Sequence, residues 1–283
     1  MFELDNFSTV LPKCGRFDLF SFFNELKETW CEAEVQSILK GFRNVAVCYL
    51  NSEFFDEQLG YLSDKGLLFS PLVRVKSFDD FGHKHEVVEK IDGDTSIYGV
   101  ISKSTKCINK FKDYYFENND FGMGIMLGYP ECCSRAFSDY VKRSPDPIFE
   151  IAKNTPSSFS GLDNAPWMRR TDLGTIEWHN IPWMLQSHLR YFGLRIIPFI
   201  PCSFLCDEAQ KVAKEWHKLL KEINPSVVDI LEELMTRDSV WDLYNAQVVV
   251  NGPPFPSEFV GYATSAYYPE RRRVEFYWDK DYA

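Results

Sequence analysis

The chain has 283 residues, a formal net charge of −10, 45% hydrophobic and 16% aromatic residues. That apolar and aromatic load excludes a disordered chain and is enough to bury a sizeable core. The negative charge disfavours general nucleic-acid binding, because phosphate backbones are repelled at long range.

Residues 17–40 carry Phe20, Phe23, Trp30 and Ile38 on one predicted amphipathic helix, stopped by Gly41. Residues 44–50 read as a short apolar strand. Ser52 is placed to cap a second helix through residue 64, with Gly66 beyond its end. Residues 67–75 read as strand. Asp92-Gly93-Asp94, between runs at 86–91 and 96–101, is a hairpin signal. Residues 1–104 are therefore expected to form a small N-terminal α/β unit.

The next stretch, 105–237, is expected to be a mainly helical domain. Residues 106–117 predict a helix, and the glycine-punctuated run 122–128 a loop or short strand. Pro130 introduces a helix over 131–142. Residues 144–170, rich in Pro, Ser and Asn, read as a long loop with a short helix near Ile148. Asn180 opens a helix through Tyr191, and 194–200 reads as a buried strand. Pro201 starts a helix to about 223, and Pro225 or Ser226 another to about 235. Residues 238–283 form a C-terminal β segment, with antiparallel strands expected over 243–250, 259–266 and 273–278. The fold class expected is mixed α/β of the α+β type.

Met1-Phe2-Glu3-Leu4-Asp5 is acidic rather than a basic lead into an apolar run, so no secretory signal is expected. No apolar run reaches the roughly 20 residues a membrane span needs. The expected location is cytoplasmic, without a membrane partner. In that compartment thiols stay reduced, so eight cysteines call for metal binding or redox chemistry rather than a disulfide framework.

Two segments concentrate them. Gly128-Tyr129-Pro130-Glu131-Cys132-Cys133 and Pro201-Cys202-Ser203-Phe204-Leu205-Cys206 each place cysteines at a predicted helix start. Unsatisfied N–H groups and partial positive charge there favour the thiolate, which is the form that binds metal. On a helix from Pro201, Cys202 and Cys206 would share a face. Random placement of eight cysteines yields about 0.2 adjacent pairs and a similar number four apart, so the weight lies in finding both, each beside proline. The four cysteines are expected to converge on one site as metal and cofactor ligands. The alternatives are buried apolar cysteines, or a metal-free thiol pair.

No two cysteines show the two-residue separation common in zinc sites. The radical S-adenosylmethionine signature fails at Ala209. An iron–sulfur cluster is therefore the first cofactor expected, and zinc the second. His188 is the preferred additional ligand or proton donor, and Glu131 a second candidate for catalytic proton transfer. His179 is a further option, while His83 and His85 lie in a polar loop. Cys14, Cys31, Cys48 and Cys107 read as core or surface thiols. Asp207 and Glu208 complement a helix dipole in the ordinary case. Arg169, Arg170 and Arg190 are candidates for a carboxylate clamp. Trp167, Trp178, Trp183 and Tyr129 could wall a pocket. Arg271-Arg272-Arg273 is the one basic run and reads as a solvated strand edge.

The two cysteine segments, with Phe137 following the first, resemble an uncharacterised prokaryotic family, a domain of unknown function. The resemblance covers residues 127–221. It implies that the two segments belong together, and it brings no activity. Phe199 and Ile200 stand where a histidine would be sought ahead of the second motif. The function expected is a metalloenzyme that uses the cluster on a small-molecule substrate, by sulfur transfer, lyase or redox chemistry. Its rivals are a zinc-stabilised interaction protein and a thiol oxidoreductase using Cys202 and Cys206. A homodimer is left open.

Overall fold

The computed structural model describes residues 8–10, 19–76, 95–143, 151, 155, 168–170, 175–178, 183–187, 190, 194–236, 239–242, 247–251, 258–262 and 273–275. The architecture is α+β, as expected. The helices with bounds among the described residues are α1 (Leu19–Leu39), α2 (Phe55–Asp64), α3 (Thr105–Phe116), α4 (Asp120–Met126), α5 (Glu131–Arg143), α6 (Asp207–Ile223) and α7 (Pro225–Met235).

Strands β2 (Ala46–Asn51), β3 (Leu68–Lys76) and β4 (Thr95–Ser102) form an antiparallel sheet in the order β2-β4-β3. Ala46 pairs with Ile101 on one side of β4 and Leu68 with Ser102 on the other. A second antiparallel sheet of five strands runs β5 (Met168–Arg170), β6 (Thr175–Trp178), β7 (Ser239–Asp242), β8 (Gln247–Asn251) and β9 (Glu258–Tyr262). β1 (Ser8–Val10) pairs in parallel with β10 (Arg273–Glu275). Of the expected antiparallel C-terminal strands, those near 243–250 and 259–266 correspond to β8 and β9, whereas β10, in the third, pairs in parallel with β1 instead. β5, from residues expected to be loop, and β6 extend the five-stranded sheet through β7.

Helix α1 serves two cores through its two apolar faces. Phe22, Leu26, Trp30 and Ala33 recur at helical spacing and enter the main core with α5, α6, α7 and residues 194–204. Val35 and Ile38 face the second core, with Ala46, Leu50, Leu62, Leu67 and Ile101. At the main core's edge the Trp30 and Trp216 rings stack with centroids 5.3 Å apart. The Arg195 guanidinium lies 4.8 Å from the Trp30 ring and that of Arg43 lies 5.0 Å from Trp216. Arg43 is buried, ion-paired with Glu34, and donates from Nε to Ser37 Oγ at 2.6 Å. Cation–π contact and pairing compensate only part of the desolvation of this charge, which still lowers the guanidinium to about 10.

Four local expectations need correction. The run 122–128 is not a loop or strand; most of it is helix α4, capped by Asn119 Oδ1 on Gly122 N–H at 2.8 Å. Its glycines disfavour a helix by about 1 kcal/mol each, but they permit close packing. A Cβ at Gly122 would lie 2.8 Å from the Tyr114 ring, and one at Gly124 would lie 2.6 Å from Ser134 Oγ. Ser52 does not cap α2: its hydroxyl meets Thr95 Oγ1 at 2.9 Å, and the helix begins at Phe55 with Asp56 and Glu57 in its first turn.

Within residues 194–200, Leu194, Ile196, Ile197, Phe199 and Ile200 are buried, but the run forms no strand, since Pro198 and Pro201 remove ladder donors. The expected α-helix over 180–191 is, where described, a 3₁₀ turn at Trp183–Leu185, non-helical Gln186 and Ser187, and a 3₁₀ residue at Arg190. The hairpin at 86–94 and the helix near Ile148 lie outside the described residues.

Replacing Trp216 by Ala should cost about 3–5 kcal/mol of unfolding free energy, the usual range for a buried aromatic truncated to Ala. Denaturant unfolding of W216A measures it; a loss below about 1 kcal/mol would show that the Trp30–Trp216 stack does not support the core.

Candidate metal centre

The first cysteine segment is placed by a helix end. After Leu127, Gly128 takes φ +76°, a conformation glycine adopts without steric cost. Gly128 N–H donates to Ile125 O at 3.1 Å and Tyr129 N–H to Gly124 O at 3.0 Å, the paired bonds of a Schellman motif. The chain then reverses into α5. Tyr129 is half-buried; its hydroxyl donates to Pro198 O at 3.5 Å and its ring packs on Phe199 with centroids 5.0 Å apart. Burial pushes the phenol up against the pull of Arg43, Arg190 and Arg195, so it remains a neutral donor. That contact ties the first cysteine segment to the approach of the second.

The second segment is not the start of a helix at Pro201, as expected, but a turn that ends in one. Cys206 N–H donates to Ser203 O at 3.2 Å, and α6 begins at Asp207. Cys206 is the N-cap of α6, its sulfur accepting Ala209 N–H at 3.4 Å. Cys202 lies in the turn, so the two cysteines meet through loop geometry rather than along one helical face. Phe204 anchors the turn: its side chain is fully buried, and its N–H donates to Thr155 Oγ1 at 3.0 Å. Thr155 in turn donates to Ile151 O at 2.8 Å. Nothing in the sequence singled out Thr155, because its role depends on distant backbone.

The sulfurs converge as expected. Cys132 and Cys133 Sγ are 3.8 Å apart, and Cys206 Sγ is 3.7 Å from each. With Cys202 Sγ included, all four ligand atoms lie within 4.8 Å of one another. Cys202 N–H donates to Cys133 Sγ at 3.4 Å. Cys133 is buried, Cys202 and Cys206 half-buried, and Cys132 exposed. This group of four cysteines can hold a metal ion.

The crowded sulfurs divide their charge unequally. Hydrogen bonds from Cys133 and Cys202, reinforced by Ala209 N–H, bring the Cys206 thiol down to about 2. The hydrogen bonds of Cys133 to Cys202 and Cys206, with burial, drive the Cys133 thiol far up. The bond of Cys202 to Cys133 pulls Cys202 down, but its bond to Cys206, burial and neighbouring charge prevail and push it up to about 12. Without a cation, these hydrogen bonds favour the thiolate at Cys206 and the protonated thiol at Cys133 and Cys202.

The other candidates fall as follows. Glu131 opens α5 exposed to solvent and pairs with Arg135 at 2.7 Å, an ordinary first-turn arrangement. Asp207 and Glu208 occupy the first turn of α6, with Glu208 paired to Lys211 at 2.6 Å. The Trp183 and His217 rings stand nearly perpendicular with centroids 5.2 Å apart, and His217 lies 3.3 Å from Glu232. Arg190 is buried. Arg169, Arg170 and Trp178 sit in β5 and β6. His188, His179, His83, His85, Cys14 and Trp167 lie outside the described residues. No helix among the described residues is long and apolar enough to cross a membrane.

Comparison with protein-family models, with curated proteins and with solved structures finds no match to this chain.

Two measurements test this geometry. Gly128→Ala forces a left-handed conformation on an L side chain and sets its Cβ 3.0 Å from Arg43 Cβ. It should lower unfolding free energy by about 1–2 kcal/mol in a urea titration; no loss would mean the α4–α5 reversal tolerates another conformation.

Metal binding must also expel the protons of Cys133 and Cys202, whose raised thiols are protonated at neutral pH, whereas Cys206 contributes none. Affinity should therefore rise with pH by at least about 100-fold per unit between roughly pH 6 and 8. Cobalt titrations at several pH values check this, and a pH-independent affinity would contradict the assigned protonation.

Proposed function

We propose that Cys132, Cys133, Cys202 and Cys206 bind a single tetrahedral metal ion, zinc before iron, that fastens α5 to the 201–206 turn and to the head of α6. The carrying observation is the sulfur spacing. An ion with metal–sulfur bonds of about 2.3 Å sets its tetrahedral ligands about 3.8 Å apart. The three pairs among Cys132, Cys133 and Cys206 stand at 3.7, 3.7 and 3.8 Å. A polynuclear iron–sulfur cluster interposes several irons and sulfides between its thiolates. It would spread them beyond the 4.8 Å that bounds every ligand pair here. The spacing therefore favours one ion over the cluster that ranks first from ligand spacing in the sequence. Four thiolates with no vacant position suit zinc, which needs neither redox change nor an open site to stabilise a fold.

A second reading, a metal-dependent enzyme acting on a small molecule, rests on the exposure of Cys132. A ligand at the surface can meet a substrate while the other three retain the ion.

The test is metal and acid-labile sulfide analysis of protein purified anaerobically, followed by exchange with cobalt. One metal per chain, no labile sulfide, and the visible bands of tetrahedral thiolate-bound cobalt are expected. Cys133→Ser should abolish stoichiometric binding. Several irons with matching sulfide would replace this reading by a cluster, and failure to bind any metal would remove it.

A further inference from the structure

The four sulfurs differ in how the fold shields them. Cys133 is 1% exposed and accepts the N–H of Cys202; half-buried Cys206 accepts the N–H of Ala209. Cys202 is half-buried in the turn. Cys132 alone of the four is exposed. Its contacts are the sulfurs of Cys133 and Cys206, and no backbone N–H among the described residues reaches it. An N–H···S bond draws electron density from a thiolate, and burial blocks approach; both lower its reactivity. A divalent ion surrounded by four thiolates leaves two formal negative charges on the sulfurs. The unshielded sulfur retains the most nucleophilic lone pair, already deprotonated by its metal.

Resting on the single-ion reading above, we infer that Cys132 is the nucleophilic ligand of the centre and accepts an alkyl group from a soft carbon electrophile. The lone pair of the metal-bound Cys132 sulfur forms a bond to a saturated carbon as the bond from that carbon to its leaving group breaks. The leaving group departs with the bonding pair, no proton moves and nothing is oxidised. The product is a thioether, and the centre loses one of its two negative charges. Cys132 is the second residue of α5, where the partial positive charge of the helix N-terminus favours a leaving group that departs as an anion. Glu131 and Arg135, about two-thirds exposed and paired with each other, leave this approach open to solvent.

The probe is methyl methanesulfonate, whose leaving group is an anion, applied in limiting amount to the zinc-loaded full chain. The reaction is quenched, the metal removed in denaturant, the remaining thiols capped with N-ethylmaleimide, and the sites read by peptide mass spectrometry. Cys132 should carry the methyl group at a rate at least about tenfold above Cys133, Cys202 or Cys206. Cys132→Ser, a change at an exposed position, should reduce total methyl uptake by at least about tenfold.

Metal content is measured on the same sample. One zinc per chain with methylation spread evenly, or centred on another of the four, overturns the role of Cys132 and leaves the metal centre standing. A chain without zinc overturns the metal centre and this role together.

Discussion

Four sulfur atoms held within 4.8 Å of one another cannot all ionise unless a cation lies among them. Two thiolates about 4 Å apart repel by about 4 kcal/mol even at an effective dielectric constant of 20. The fold nevertheless brings the four together. In the absence of an ion the hydrogen bonds among the sulfurs lower the Cys206 thiol and raise those of Cys133 and Cys202, which limits how many are charged together. A metal ion reverses that balance, since it replaces protons with a central positive charge that all four ligands share.

The scaffold delivers the sulfurs from two directions and braces both. Gly128 reverses the chain between α4 and α5, while the close approach of Gly124 to Ser134 locks those helices together. Tyr129 reaches from that reversal to Pro198, and the Thr155 hydroxyl holds the backbone at Phe204. Cys206 then performs two tasks, capping α6 through Ala209 and facing Cys132 and Cys133. The long helix α1 lies under the assembly, joining the main core to the small sheet and supplying Trp30 to the stack with Trp216. A rigid site suits a bound ion, because little reorganisation remains when the ligands close on it.

The convergence of the cysteines was readable in advance because thiols beside prolines at helix entries are few and chemically distinctive. The long helices were readable from their periodicity; α1, α3 and α7 lie within two residues of their expected bounds. The glycine-rich α4 was not, since propensity treats its glycines as breakers whereas the fold uses them for contact with Tyr114 and Ser134. Nor was the start of α6. Pro201 is a good first-turn residue, but burial of Phe204 and capping by Cys206 move the helix to Asp207. Ligand spacing along the chain pointed to a cluster. Only sulfur separations in space discriminate a single ion from a cage of several.

X-ray absorption at the metal edge of the purified protein tests the central claim most directly, since it counts ligands and measures their distances around the metal itself. A single shell of four sulfurs at about 2.3 Å, with no metal–metal scattering, is the result the account requires. A second shell from neighbouring irons, or a first shell made mainly of nitrogen and oxygen, would contradict it.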